Sequence, residues 1–154
     1  AKTSKALSRM NDLFREKQTE KIDHALSMVE LENKEGTLKH FLSKDSKTHR
    51  ALTYNIPKHG AKEAVLHYNL LKRSGDVNLY EIHLETGRFH QIRAQVAKAG
   101  APLMGDLKYG AKKPLPDRSV ALHAVQLNFV HPVSGENVII NAPYLGDVWK
   151  PFRS

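Results

Sequence analysis

The sequence contains no cysteine. That absence excludes disulfide bonds, thiolate zinc centres, iron–sulfur clusters and a cysteine nucleophile. No apolar run approaches the length of about 20 residues that spans a bilayer, and no signal-peptide pattern occurs. The nine histidines lack a helical His-x-x-x-His pair, so no metal is assigned. Internal repeats, low-complexity tracts and a domain linker are also missing. These absences describe a soluble, cytoplasmic protein of one domain, with no membrane association.

What is present fits that description. The 154 residues are 40% hydrophobic and 26% charged, ordinary values for a compact domain that needs no covalent staples. Lys and Arg number 24 against 16 Asp and Glu, a net charge of +8. Such a balance serves either an acidic partner or simple solubility. Its distribution favours the partner. Arg88, Arg93, Lys98, Lys108, Lys112 and Lys113 fall in one stretch whose single acid is Asp106, and a phosphate-tracking surface needs such clustering.

The chain opens on Ala1-Lys2-Thr3-Ser4 without an initiator methionine, and Ala6, Leu7, Met10, Leu13 and Phe14 recur at helical spacing. Thr3 or Ser4 can cap that helix. A domain that begins directly on a packing helix is expected to be part of a longer chain. Strands are predicted at 22–29, 65–71, 77–84, 120–130 and 138–140, with a hairpin-like excursion over 31–60. A helix is predicted from about Arg88 to Ala99, stopped by Gly100, followed by a loop rich in Gly, Pro and Lys. The implied fold class is α+β: a largely antiparallel mixed β-sheet with flanking helices.

The most informative segment is Leu84-Glu85-Thr86-Gly87-Arg88-Phe89-His90-Gln91-Ile92-Arg93. At about 100° per residue, Phe89, Ile92, Val96 and Ala97 form the apolar stripe of the predicted helix. Arg93 falls inside that stripe. A guanidinium there is costly unless paired, so Arg93 either snorkels into an ordinary ion pair or holds a carboxylate in a cleft. Arg88, His90 and Gln91 lie off the stripe at the helix start, where backbone N–H groups favour a phosphate of RNA or DNA.

The motif Leu84-x-Thr86-Gly87-Arg88-x-His90-Gln91-Ile92-Arg93 is followed by Gly100-x-Pro102-Leu103-x-Gly105-Asp106-x-x-Tyr109-Gly110 and by Leu122-His123-Ala124. In order and spacing these blocks resemble the RluA-type pseudouridine synthases. His131-Pro132, Ala142-Pro143 and the opening helix are similar to that family too, so the resemblance covers nearly the whole chain. It implies a pseudouridine-synthase-like fold, present here as the C-terminal portion of the catalytic domain over residues 1–154 and therefore incomplete. It also implies an enzyme that isomerises uridine to pseudouridine in structured RNA, ribosomal or transfer, with neither metal nor small-molecule cofactor. The target base is flipped from its stack, detached, rotated and rejoined through carbon. By position, Arg93 is the catalytic arginine that pairs with an essential aspartate.

Two positions depart from the family pattern. The His-Arg-Leu-Asp block carrying the aspartate should precede the opening helix and is absent from these residues. Asp106, after Gly105 in a loop, reads as an Asx-type turn rather than a substitute. Asp23 stands where the family usually has a tyrosine that packs on the target base. The chain alone is therefore expected to be inactive, and the alternative is an RNA-binding module of that ancestry that does no chemistry. Among the remaining residues, Lys108, Lys112 and Lys113 are assigned to RNA phosphates. Tyr109 either stacks on a base or packs over the sheet. His123 reads as a hydrogen-bonded core histidine, and Trp149 and Phe152 as C-terminal anchors.

Overall fold

The computed structural model describes residues 19–153; the predicted opening helix lies outside them. Seven strands form one sheet: β1 (Thr19–Ser27), β2 (Glu35–Asp45), β3 (Arg50–Tyr54), β4 (Lys62–Ser74), β5 (Val77–Leu84), β6 (Leu122–Val130) and β7 (Asn137–Asn141). Their spatial order is β3-β2-β4-β5-β1-β6-β7, and every pairing between neighbours is antiparallel. The expected α+β class stands. The largely antiparallel sheet with flanking helical segments is likewise as expected: among the described residues these segments are one α-helix, α1 (Gln91–Lys98), and two short 3-10 turns.

Turn chemistry sets the register. β4 and β5 join through Gly75-Asp76, with Ser74 facing Val77 and Gly75 at φ +60°, a value that suits glycine in a two-residue hairpin loop. The polar excursion after β1 is the β2–β3 hairpin, with Asp45 opposite Arg50.

Side chains alternate across the strands and so build two cores. On one face Ala25, Leu66, Tyr68, Tyr80 and Ile82 pack against Ile92 and Val96 of α1. On the other, Leu26 and Leu79 meet Trp149 and Phe152, the expected C-terminal anchors. Burying a side chain of that size contributes about 1.5–3 kcal/mol, so the two aromatics suffice to hold the C-terminal segment on the sheet.

Helix α1 begins three residues later than its sequence pattern implies. His90 takes a left-handed φ of 52° immediately before it, which places Arg88 and Phe89 outside the helix. Phe89, expected in the apolar stripe, is instead exposed and stacks on the His90 ring at 3.8 Å. The helix ends as expected at Gly100. Its N–H donates to the Ala97 carbonyl while that of Ala101 donates to Val96, the paired bonds of a Schellman motif.

Candidate active site

Arg93 projects from the first turn of α1 toward the loop that follows the helix. Its Nε donates to Asp106 Oδ2 at 2.9 Å and its Nη2 to Asp106 Oδ1 at 2.7 Å, a bidentate fork. The Asp106 side chain is fully buried and that of Arg93 is 21% exposed. Hydrogen bonding to Asp106 pushes the Arg93 pKa further up, against the opposing effect of burial. The Asx-turn reading of Asp106 is therefore corrected: its carboxylate serves Arg93 and caps no backbone. The sequence held one signal for this, since Asp106 is the only acid among six cations in its stretch.

Main-chain stitching fixes Asp106. Met104 N–H donates to the Leu26 carbonyl, Ala121 N–H to Met104, and Asp106 N–H to Leu103. Gly105 turns at φ +81°, and a Cβ there would lie 2.4 Å from the Ser119 carbonyl oxygen. Only glycine lets the loop pass this close.

His90 completes the group. Its Nε2 lies 3.2 Å from Arg93 Nη1 and its Nδ1 2.7 Å from the Tyr109 hydroxyl. A guanidinium only donates, so Nε2 is the acceptor and the neutral ring carries its proton on Nδ1, donated to Tyr109. Burial, then the Arg93 charge, lowers the His90 pKa, in keeping with a neutral ring. Of the five guanidinium N–H groups, one on each terminal nitrogen of Arg93 has no acceptor among the described residues.

The other residues assigned from sequence divide. Tyr109 is buried, its hydroxyl accepts the Ala51 N–H, and Arg93 and Arg50 lie over its ring at 5.0 and 5.3 Å; of its two readings the packed one is observed. Gln91, expected to face RNA, is corrected. It is buried, with Oε1 accepting from Thr86 Oγ1 and the Arg88 N–H, and Nε2 donating to the Val65 carbonyl. Arg88 donates through Nε to the Glu63 carbonyl beside the helix start. Lys108 is spent largely on the β2–β3 turn, donating to the Thr48 and His49 carbonyls. Lys112 and Lys113 are exposed on the rim of an apolar groove of about 500 Å³ that includes Met28, Met104 and Leu115. His123, half-buried, donates through Nε2 to the Ala142 carbonyl, the hydrogen-bonded structural role expected of it.

Asp23 lies on the α1 side of β1, next to a bulge between Ile22 and Asp23. It is buried, its Oδ1 is 3.5 Å from Lys21 Nζ and its Oδ2 has no hydrogen-bond partner among the described residues. Burial raises its pKa against the pull of Lys21. Among the described residues no cluster of His, Asp and Glu is arranged to hold a metal.

The seven-stranded antiparallel sheet that carries this site is a fold shared with solved pseudouridylate synthase domains. The family model for RNA pseudouridylate synthases matches residues 1–98, and the chain belongs to that family, in its RluA-type branch. The chain is 41% identical over 114 residues to the uncharacterized RNA pseudouridine synthase YlyB of Bacillus subtilis, covering 74% of this chain and 37% of that protein. It is equally identical over 113 residues to ribosomal large subunit pseudouridine synthase D of Neisseria meningitidis serogroup A, covering 66% and 30%. Human RNA pseudouridylate synthase domain containing 1 superimposes with a TM-score of 0.74 at 26% identity, covering 94% of this chain and 62% of that one. The chain thus spans well under half the length of these curated relatives.

Proposed function

We propose that these residues are the C-terminal portion of the catalytic domain of a cytoplasmic RNA pseudouridine synthase that isomerises uridine in ribosomal or transfer RNA. The observation that carries this reading is the Arg93–Asp106 fork. Asp106 fixes the plane of the guanidinium, and His90, neutral and acceptor-only at Nε2, fixes its rotation. The two remaining N–H groups of Arg93 are then offered to a second acceptor. In the family that acceptor is the essential aspartate, which acts on the flipped nucleotide as nucleophile or base. An arginine held this way keeps the incoming carboxylate ionised and oriented before substrate arrives, which saves reorganisation in the transition state. Asp106 and the essential aspartate would thus divide the work around Arg93: one acid positions the guanidinium, and the second acid reacts.

One observation favours a second reading. Asp23 presents a buried carboxylate where the family usually places an aromatic ring, and a carboxylate cannot stack on a base. The second reading is a basic module that binds structured RNA without isomerising it.

The test uses the protein with whatever its gene encodes ahead of Ala1. It is incubated with ribosomal and transfer RNA, and pseudouridine is mapped by carbodiimide labelling. Product from the wild type, abolished in Arg93→Ala with RNA binding largely kept, supports the synthase. Normal turnover in Arg93→Ala removes Arg93 from the mechanism. Tight RNA binding with no product in the wild type establishes the second reading.

A further inference from the structure

Next to the Arg93 group, on the same side of the sheet as α1, lies a half-open cavity of about 330 Å³. Leu42 forms part of its wall, and Lys44, Lys62, Arg88 and Phe89 converge on it from β2, β4 and the turn before the helix. Three cations therefore face one hollow, and no Asp or Glu lines it among the described residues. The two acids adjacent to these cations in sequence, Asp45 and Glu63, alternate to the opposite faces of their strands; Asp45 accepts the Lys47 N–H at 3.0 Å and Glu63 is paired with Lys39 at 3.6 Å.

None of the three cations is neutralised by a carboxylate among the described residues. Lys44 Nζ sits 4.4 Å from the centre of the Phe89 ring, a cation–π contact that holds the ammonium at the mouth of the cavity. Arg88 spends Nε on the Glu63 carbonyl, which fixes its side chain and leaves both terminal nitrogens without an acceptor among the described residues. Lys62 is exposed, with no ion pair among the described residues. Phe89 is backed by His90, whose Nε2 accepts a hydrogen bond from Arg93, so the cavity and the Arg93 group are separated by one stacked pair of rings.

We infer that this cavity binds the RNA backbone: it takes a phosphodiester and its ribose from the strand beside the nucleotide that enters the Arg93 site. Preorganised cations around a concave, acid-free hollow suit a phosphate, and the volume admits a ribose-phosphate unit but not a duplex. Contacts of this kind fix the register of the strand and carry no sequence information. The assignment rests on the synthase reading, and it adds Lys44, Lys62 and Phe89 to the RNA-binding residues. Sequence inspection passed over them because they come from three separated segments.

The test compares Lys44→Gln/Lys62→Gln with a control of equal charge change, Lys34→Gln/Lys72→Gln, in the same full protein. Fluorescence anisotropy measures affinity for a uridine-containing stem-loop RNA across a salt series, and circular dichroism checks the fold. Two lost single-strand phosphate contacts weaken binding about tenfold at ~0.15 M salt and flatten the log–log salt slope by roughly 1.4. The control is expected to change affinity less than about twofold. Equal behaviour of the two double variants overturns the cavity assignment. If the wild type makes pseudouridine while the two variants bind alike, the cavity fails and the synthase reading stands. If the wild type makes none but the cavity variant alone loses affinity and slope, the cavity stands as an RNA site and the synthase reading fails.

Discussion

Arg93 and Asp106, 13 residues apart, meet through two hydrogen bonds of 2.9 and 2.7 Å with the aspartate wholly buried. The pair is asymmetric. Remove the aspartate, and Arg93 still reaches water along its exposed edge. Remove the arginine, and a carboxylate is stranded in the interior.

That asymmetry predicts the stability of the two variants. Breaking a buried pair by removing one partner costs about 3–5 kcal/mol. Arg93→Ala is expected at the upper end of that range and Asp106→Ala below it, by urea denaturation at neutral pH. The double variant is expected to cost clearly less than the sum of the singles. Strict additivity would show that the fork contributes no coupling.

Gly105 offers a separable check. Its φ of +81° and the 2.4 Å approach to the Ser119 carbonyl mean that Gly105→Ala must move backbone and displace Asp106. A loss of about 3 kcal/mol or more is expected, with lowered activity. Gly135→Ala, also at positive φ but with nothing within 4 Å of the new carbon, should cost only about 1 kcal/mol. Comparable losses at both positions would discount the close approach.

Acid should destabilise the His90 group. Its pKa is lowered in the folded chain, as are those of His24 and His40, chiefly by burial. The unfolded chain therefore binds more protons between the depressed values and the ordinary value of ~6.5. Stability from these groups is complete above that value and is lost as pH falls through the window. Protonation of His90 also converts Nε2 from acceptor to donor opposite Arg93. Nuclear magnetic resonance titration should place the His90 midpoint below ~6.5, and a midpoint at or above it contradicts the tautomer assigned here.

Asp23 carries the opposite sign. Its folded pKa is raised, so stability is complete below the ordinary carboxylate value of ~3.9 and is lost as pH rises through the folded value. Asp23→Asn is expected to stabilise the protein at pH 7, with the gain shrinking toward pH 4 in parallel denaturation curves. A gain that does not change with pH would have to come from something other than charge.

Most strands were legible in the chain because each shows period-two apolar spacing between turn residues, and β5 agrees residue for residue with its prediction over 77–84. The helix start was misplaced because apolar periodicity continues through Phe89, while the left-handed φ of His90 depends on bonds to Tyr109 and Arg93. Periodicity marked Arg93 as needing a partner, but the identity of that partner was set by a loop folding back on β1 through Met104 and Leu26. Gln91 misled for a related reason: its polar amide is consumed by Thr86, Arg88 and Val65, contacts that no helical wheel displays.

The amino-acid order alone determined the family, the antiparallel strand pattern, the basic surplus around α1 and the need of Arg93 for an anion, because each is a property of composition or of short-range spacing. Tertiary structure alone decided that Asp106 meets that need, that Tyr109 and Gln91 turn inward, and that Lys44, Lys62 and Arg88 share one cavity. Those outcomes depend on which distant segments touch, and contact between distant segments is settled by packing of the whole sheet, which leaves no local mark in the chain.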